Sequence, residues 1–202
     1  MPRDHDRNYM RERIAHLAAR LMAEDGIEDH ALAKRKAARQ AGAADSRNLP
    51  NNEEIDAALR DYQQLYHEHG HRERLHHLRN QAARIMRQLA AFDPHLTGPV
   101  LSGIAGKYAG ISLQLFADSV KDVEMFLLNR RIAYSCGEQR LYGGGTERAV
   151  PVFIVDFEGT EVRLSVLATL DQRAALRATP TGRPIERARL AAVEALLAGS
   201  AR

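Results

Sequence analysis

Three groups of residues in this chain have the types and spacing to do chemistry. The first is the stretch GPVLSGIAGKYA at 98–109, in which Gly103 and Gly106 bracket Ile104 and Ala105, and Lys107 follows at once. Successive backbone N–H groups in a glycine turn form a concave nest for an anion, and a neighbouring lysine adds a point charge. Ser102, Gly103, Gly106 and Lys107 are therefore a candidate phosphate site, although the same glycines also serve to let two strands turn closely. The second group is YHEHGHRERLHH, holding His67, His69, His71, His76 and His77. His67 and His71 have the spacing that sets two imidazoles on one helix face, as in metal sites. Gly70 lies between them and no carboxylate or cysteine pattern completes the ligand set, so a solvated histidine-rich junction is the competing reading. The third group is Lys34, Arg35, Lys36 and Arg39, the densest basic cluster, which reads as nucleic-acid phosphate contact or as a solvated helix face.

These groups sit on elements that the apolar pattern lays out. Met10, Ile14, Leu17, Leu21 and Met22 recur at helical spacing and Gly26 stops the helix. A second helix runs from an Asp29 cap to Gly42. Ser46 to Asn52 reads as a loop that caps a third helix with Glu53 and Glu54 in its first turn. Ile55, Leu59, Tyr62, Leu65 and Tyr66, then Leu75, Leu78, Ile85, Met86 and Leu89 beyond Gly70, continue a helical stripe to Asp93-Pro94. After Pro94 the period shortens, which divides the chain into a helical segment, 1–95, and an α+β core, 96–202.

Within that core Val100-Leu101 is expected as a buried first strand. Ile111, Leu113 and Leu115 form the inward face of a second strand, with Ser112, Gln114 and Phe116 on the other face. A helix at 120–130 follows, then strands at 131–140, 150–157 and 161–167, the last two joined by a Glu158-Gly159 turn. A loop at 170–183 leads to a final helix opened by Pro184. The expected fold class is α+β, a small mixed sheet between a helical first half and a C-terminal helix.

Composition limits the partners. A chain of 202 residues with 45% hydrophobic residues can bury a real core. Twenty-nine Lys and Arg against 26 acids leave a net charge of only +3, which disfavours a strong nucleic-acid field. Trp is absent and aromatics are 5%, which disfavours a stacking surface for single strands. Cys136 alone cannot make an internal disulfide and points to a reducing compartment. No apolar run reaches signal-peptide length or the ~20 residues of a membrane span, so a cytoplasmic protein with no membrane partner is expected.

The order strand, glycine turn, strand, helix and three strands, with V-L-x-G at 100–103, I-x-L-x-L at 111–115 and Asp156 in a later strand, resembles the nucleotidyltransferase fold. In that fold a strand ends in a Gly-Ser pair that holds phosphates, and the next strand carries Asp-x-Asp, which holds two divalent metals. The matching positions here are Gly103-Ile104 and Ser112-Leu113-Gln114. Neutral Ser112 and Gln114 cannot hold a Mg²⁺ pair, so the resemblance implies a catalytically degenerate module. Such a module would bind a nucleotide or another phosphorylated ligand, with Ser102, Gly103, Gly106, Lys107, Ser112 and Gln114 as the candidate contacts, or a protein through the N-terminal helices. The enzyme alternative is a Mg²⁺-dependent nucleotidyltransferase using Asp118 and Asp156 as catalytic acids, against which Asp118 also suits the cap of the next helix. The whole chain resembles an uncharacterised group of proteobacterial proteins, some labelled nucleotidyltransferase or UDP-N-acetylmuramate-alanine ligase. A ligase of that type needs a G-x-x-x-x-G-K-[ST] loop for ATP, which the sequence lacks. Residues 8–42, through Ile14, Ala18, Leu21, Gly26-Ile27 and Ala41-Gly42, resemble the helix-turn-helix of TetR-type DNA-binding regulators, with a longer interval between the glycines than that motif allows. There Arg39 and Gln40 would read base edges.

Overall fold

The computed structural model describes residues 3–27, 29–43, 49–66, 68–180 and 182–199. The chain is α+β, with helices before residue 88 and every described strand after it. It divides into two compact units. One comprises Met1–Arg74 with Gly103–Ala109, and the other Leu75–Ser102 with Gly110–Arg202.

The first unit is helical, built from α1 (Arg3–Glu24), α2 (His30–Gln40), α3 (Asn52–Tyr66) and the first turns of α4 (Glu68–Gln88). Ile14, Ala18 and Leu21 of α1 meet Ala33 and Ala37 of α2 and Ile55 and Leu59 of α3, and Ile104 enters the same core. The alanines let α2 lie close without a large side chain between the axes. Asp29 caps α2 as its pattern predicts, its Oδ1 accepting from the Ala31 amide at 2.7 Å. Residues 44–48 of the expected loop lie outside the described residues, and the cap of α3 falls to Asn51. Its Oδ1 accepts from the Glu54 amide at 2.8 Å while Glu54 Oε2 accepts from the Asn51 amide, a reciprocal capping box.

That capping box also ties the helices together. Arg11 of α1 donates to Glu54 through Nε and Nη2, the latter at 2.7 Å. Lys34 Nζ of α2 donates to Asn52 Oδ1 at 2.7 Å, and His30 Nε2 lies 2.7 Å from Asp56 Oδ1. One turn of α3 thus gathers polar contacts from both of its neighbours.

The second unit is a five-stranded mixed sheet in the order β1 (His95–Thr97), β2 (Ile111–Phe116), β5 (Thr160–Leu167), β4 (Thr146–Phe157), β3 (Tyr134–Gly143). β2 runs antiparallel to β1 and parallel to β5. Leu96, Ile111, Leu113, Leu115, Val162, Leu164, Phe153 and Val155 share one face by this register, and all are buried. The helices pack there. The Arg84 guanidinium of α4 lies 5.4 Å from the Phe157 ring, and the Tyr134 hydroxyl donates to Glu124 of α6 (Val120–Asn129) at 2.8 Å. On the opposite face Phe116, Leu141, Val150 and Leu167 are covered by Leu176, Ala174 and Ile185. The β4–β5 turn is the expected Glu158-Gly159, with both residues at positive φ, 53° and 80°.

Two expected elements are placed differently. Val100-Leu101 is not a strand: the first strand is His95–Thr97, and Gly98–Ser102 forms a short helix, α5. Pro99 has the fixed φ that suits the first turn of a helix, and Gly98 leaves the strand at φ 70°, which only glycine adopts cheaply. Pro184 does not open the last helix either. Ala188 instead exchanges both backbone hydrogen bonds with Leu96 at 2.8 and 2.9 Å, holding the chain extended, and α7 (Leu190–Gly199) begins after it.

The Arg11 guanidinium holds the Glu54 carboxyl below the usual carboxylate range. A depressed carboxyl pKa stabilises the fold above the unfolded-state value of about 4.3, and that contribution is lost as pH falls through the lower folded value. Glu54→Gln keeps an amide able to close the capping box but removes the charge. With side-chain exposures of 28% and 40% the pair is worth about 1 kcal/mol or less. Urea unfolding of Glu54→Gln is expected to show that loss at pH 7 and to fall less than wild type on acidification.

Candidate functional site

The glycine stretch is packed into the helical unit. Ile104 and Ala105 are buried, and their neighbours spend their carbonyls on the helical unit, Gly103 O accepting from His71 Nε2 at 2.9 Å and Ile104 O from Gln63 Nε2 at 3.2 Å. A side chain at Gly106 would meet the Met22 carbonyl at 3.3 Å, so the turn lies closely against the end of α1. Lys107 is exposed, its ammonium 5.2 Å from the Tyr108 ring centroid. Ser102 is exposed in α5 and donates back to Gly98 O at 3.3 Å. Gly103, Gly106 and Lys107 belong to the helical unit, whereas Ser102, Ser112 and Gln114 belong to the sheet unit.

Asp118 and Asp156 are not brought together. Asp156 faces Glu161 across the β4–β5 ladder, while Asp118 lies two residues past Phe116, which faces Leu167. At about 3.3 Å per residue, the six residues of β5 between those levels hold the two acids roughly 20 Å apart. A metal pair requires carboxylates close enough to bridge ions about 4 Å apart. Each acid also has a structural partner: Asp118 Oδ1 accepts from the Thr169 hydroxyl at 2.6 Å, and Asp156 Oδ1 from the Gly159 amide at 3.0 Å. Nor does Asp118 cap α6. Ser119 does, its Oγ accepting from the Lys121 amide at 3.2 Å.

His67 lies outside the described residues, and His71 directs Nε2 to the Gly103 carbonyl. Among the described residues no three His, Cys, Asp or Glu side chains are grouped as metal ligands. In the basic cluster, Lys34 is half-buried on Asn52, and burial lowers its pKa. Arg35, Lys36 and Arg39 remain exposed along α2.

Ser112 and Gln114 fall on a different kind of surface. On the face of β2 away from the helices, Gln114 stands directly between His95 of β1 and Ser165 of β5, and Ser112 between Thr97 and Arg163. His95, Thr97, Gln114 and Ser165 are all buried, an unusual concentration of polar side chains for the middle of a sheet. Most of them have partners. Gln139 Nε2 donates to Ser165 Oγ at 2.8 Å, and Thr97 Oγ1 to Ser112 O at 3.2 Å. His95 Nδ1 donates to Asp93 O at 2.8 Å while its Nε2 accepts from Arg189 Nε at 3.2 Å, which fixes the proton on Nδ1. The exception is Gln114, only 2% exposed, whose Oε1 is buried and has no hydrogen-bond partner among the described residues.

No family model, curated protein or solved structure matches the chain. These two rows contain neutral side chains and one guanidinium, Arg163, whose Nε donates to Glu161 at 2.8 Å. They lack the carboxylates of a divalent-metal site but offer hydrogen-bond donors and acceptors to a polar ligand. Gly98 abuts the same surface, the Cβ that an alanine there would add lying 3.7 Å from Ser112 Cβ.

His95, Thr97, Ser165 and Gln139 were missed in the sequence. A polar residue in an apolar run, as in VRLSVL at 162–167, is the signal that marks Ser165, but only the inter-strand register sets it opposite Gln114. A buried amide oxygen without a partner costs about 1–3 kcal/mol. Gln114→Met, similar in volume and apolar, is therefore expected to raise the stability of the ligand-free protein by about 1 kcal/mol in urea unfolding. A loss of stability would show instead that the amide supports the fold.

Proposed function

We propose that the chain is a catalytically degenerate nucleotidyltransferase-fold module that binds a nucleotide on the polar face of its sheet, with Gln114 as the principal contact. The carrying observation is the buried Gln114 Oε1 without a partner, set in a row with His95 and Ser165. A carboxamide presents an acceptor and a donor side by side, which complements the paired groups on a nucleobase edge. Arg163 in the next row supplies a guanidinium for a phosphate.

The observed order β1, α5, β2, α6, β3, β4, β5 is strand, short helix, strand, helix and three strands, which supports the fold assignment from β2 onward, while V-L-x-G lies in α5 and not at a strand end. With the first strand ending at Thr97, the glycine turn of the family corresponds to Gly98 rather than Gly103, and this glycine adjoins Ser112. Ser112 and Gln114 then occupy the two alternating positions that carry carboxylates in active members. Metal-dependent transfer has no support from Asp118 and Asp156, which lie at opposite ends of the strands.

Thermal-shift titration with ATP, GTP, CTP and UTP, each with and without Mg²⁺, tests the reading. At least one nucleotide is expected to raise the melting temperature without Mg²⁺, and Gln114→Met to abolish that rise while remaining folded. A rise that strictly requires Mg²⁺ would favour the transferase, and no rise with any nucleotide would sink the proposal.

A further inference from the structure

The sheet unit holds a groove lined by none of the polar-face residues. Leu101 of α5, Ala188 beside β1, and Ala192, Ala195 and Leu196 of α7 form a groove of about 500 Å³ with Arg79 of α4. This volume lies within the range of small-molecule sites. Ala192 and Ala195 are exposed on successive turns of α7, where larger side chains would fill the groove.

Among the described residues Arg79 is the only charged one of the lining, and it is 8% exposed. Its Nε and Nη2 donate to the carbonyls of Val100 and Leu101, both at 3.1 Å, at the C-terminal end of α5. Those carbonyls carry partial charges, and among the described residues no carboxylate bonds to Arg79. The next arginines of α4 differ: Arg84 pairs with Glu158 and Arg87 with Glu194, although both are half-exposed. Burial lowers the Arg79 pKa, with no acid contributing against it. Among the described residues the two half-exposed arginines of α4 thus have full counter-ions, whereas the buried Arg79 has none. An anion seated on the remaining guanidinium N–H groups would relieve that imbalance.

We propose that this groove binds an apolar monocarboxylate, a medium-chain acyl or aromatic acid, with its carboxylate on Arg79 and its tail along Ala192 and Ala195. A phosphate monoester fits less well, because one guanidinium and apolar walls leave its further oxygens without donors.

Isothermal titration calorimetry of the full chain with octanoate, octanol and octylamine, below their aggregation concentrations, tests this. Octanoate is expected to bind one per chain, octanol about tenfold or more weakly for want of the charge-assisted contact, and octylamine not at all. Ala195→Trp, an exposed substitution that fills the groove, is expected to abolish octanoate binding with the circular dichroism spectrum unchanged. Ala192→Phe serves the same purpose if Ala195→Trp does not fold. Failure of octanoate to bind, equal binding of octanol, or undiminished binding to a folded groove-filling variant would each overturn the proposal.

Discussion

β2 is hydrogen-bonded on both edges, antiparallel to β1 and parallel to β5, and the sheet unit is arranged around that fact. A strand in this position has no solvent edge, and every one of its side chains except Ser112 is buried. Ile111, Leu113 and Leu115 meet the helix side, which is the ordinary arrangement for a parallel pair. On the other face Phe116 is covered by Ala174, Leu176 and Ile185. Between that cover and the open rim lie Gln114 and its in-register neighbours. Their burial follows from the strand's position and not from any preference of glutamine, histidine or serine for the interior.

Arginine does much of the joining in this unit. Arg187 lays its guanidinium over Phe116, 5.6 Å from the ring centroid, and donates to the carbonyls of Gln172 and Ala174, so one side chain anchors the irregular segment to the sheet. Arg79 does the same for the end of α5. Five N–H groups in a rigid fork suit a site where several carbonyls end without strand or helix partners.

Much of the fold was legible because short-range chemistry decides it. Asp29 before α2, the charged first turn of α3, Glu158-Gly159 and the alternation along β2 each carry their own signal within a few residues. The errors arose where a distant segment decides. Val100-Leu101 has strand composition, yet Gly98 and Pro99 turn the chain into a helix whose carbonyls are met by Arg79, 21 and 22 residues earlier. Residues 184–189 follow a proline that suits a helix start, yet Leu96 holds Ala188 extended. The candidate site divides in the same way. Ser112 and Gln114 were legible as an alternating polar pair, but His95 and Ser165 join them only through register, and register was not written in either strand alone. Asp118 and Asp156 failed together for the same reason, since nothing within either segment reveals which end of the sheet it occupies.

β3 is an edge strand, and its far end is closed where Arg177 exchanges both backbone hydrogen bonds with Tyr142. Cys136 lies on the other half of that strand, exposed, with Glu138 and Arg140 close by as charged neighbours of the kind that discourage edge-to-edge association. It is also the one thiol in the sequence. A maleimide dye or spin label therefore attaches at a single, known place on a rigid strand of the sheet unit, and distances measured from that label can follow the unit without any cysteine being added or removed.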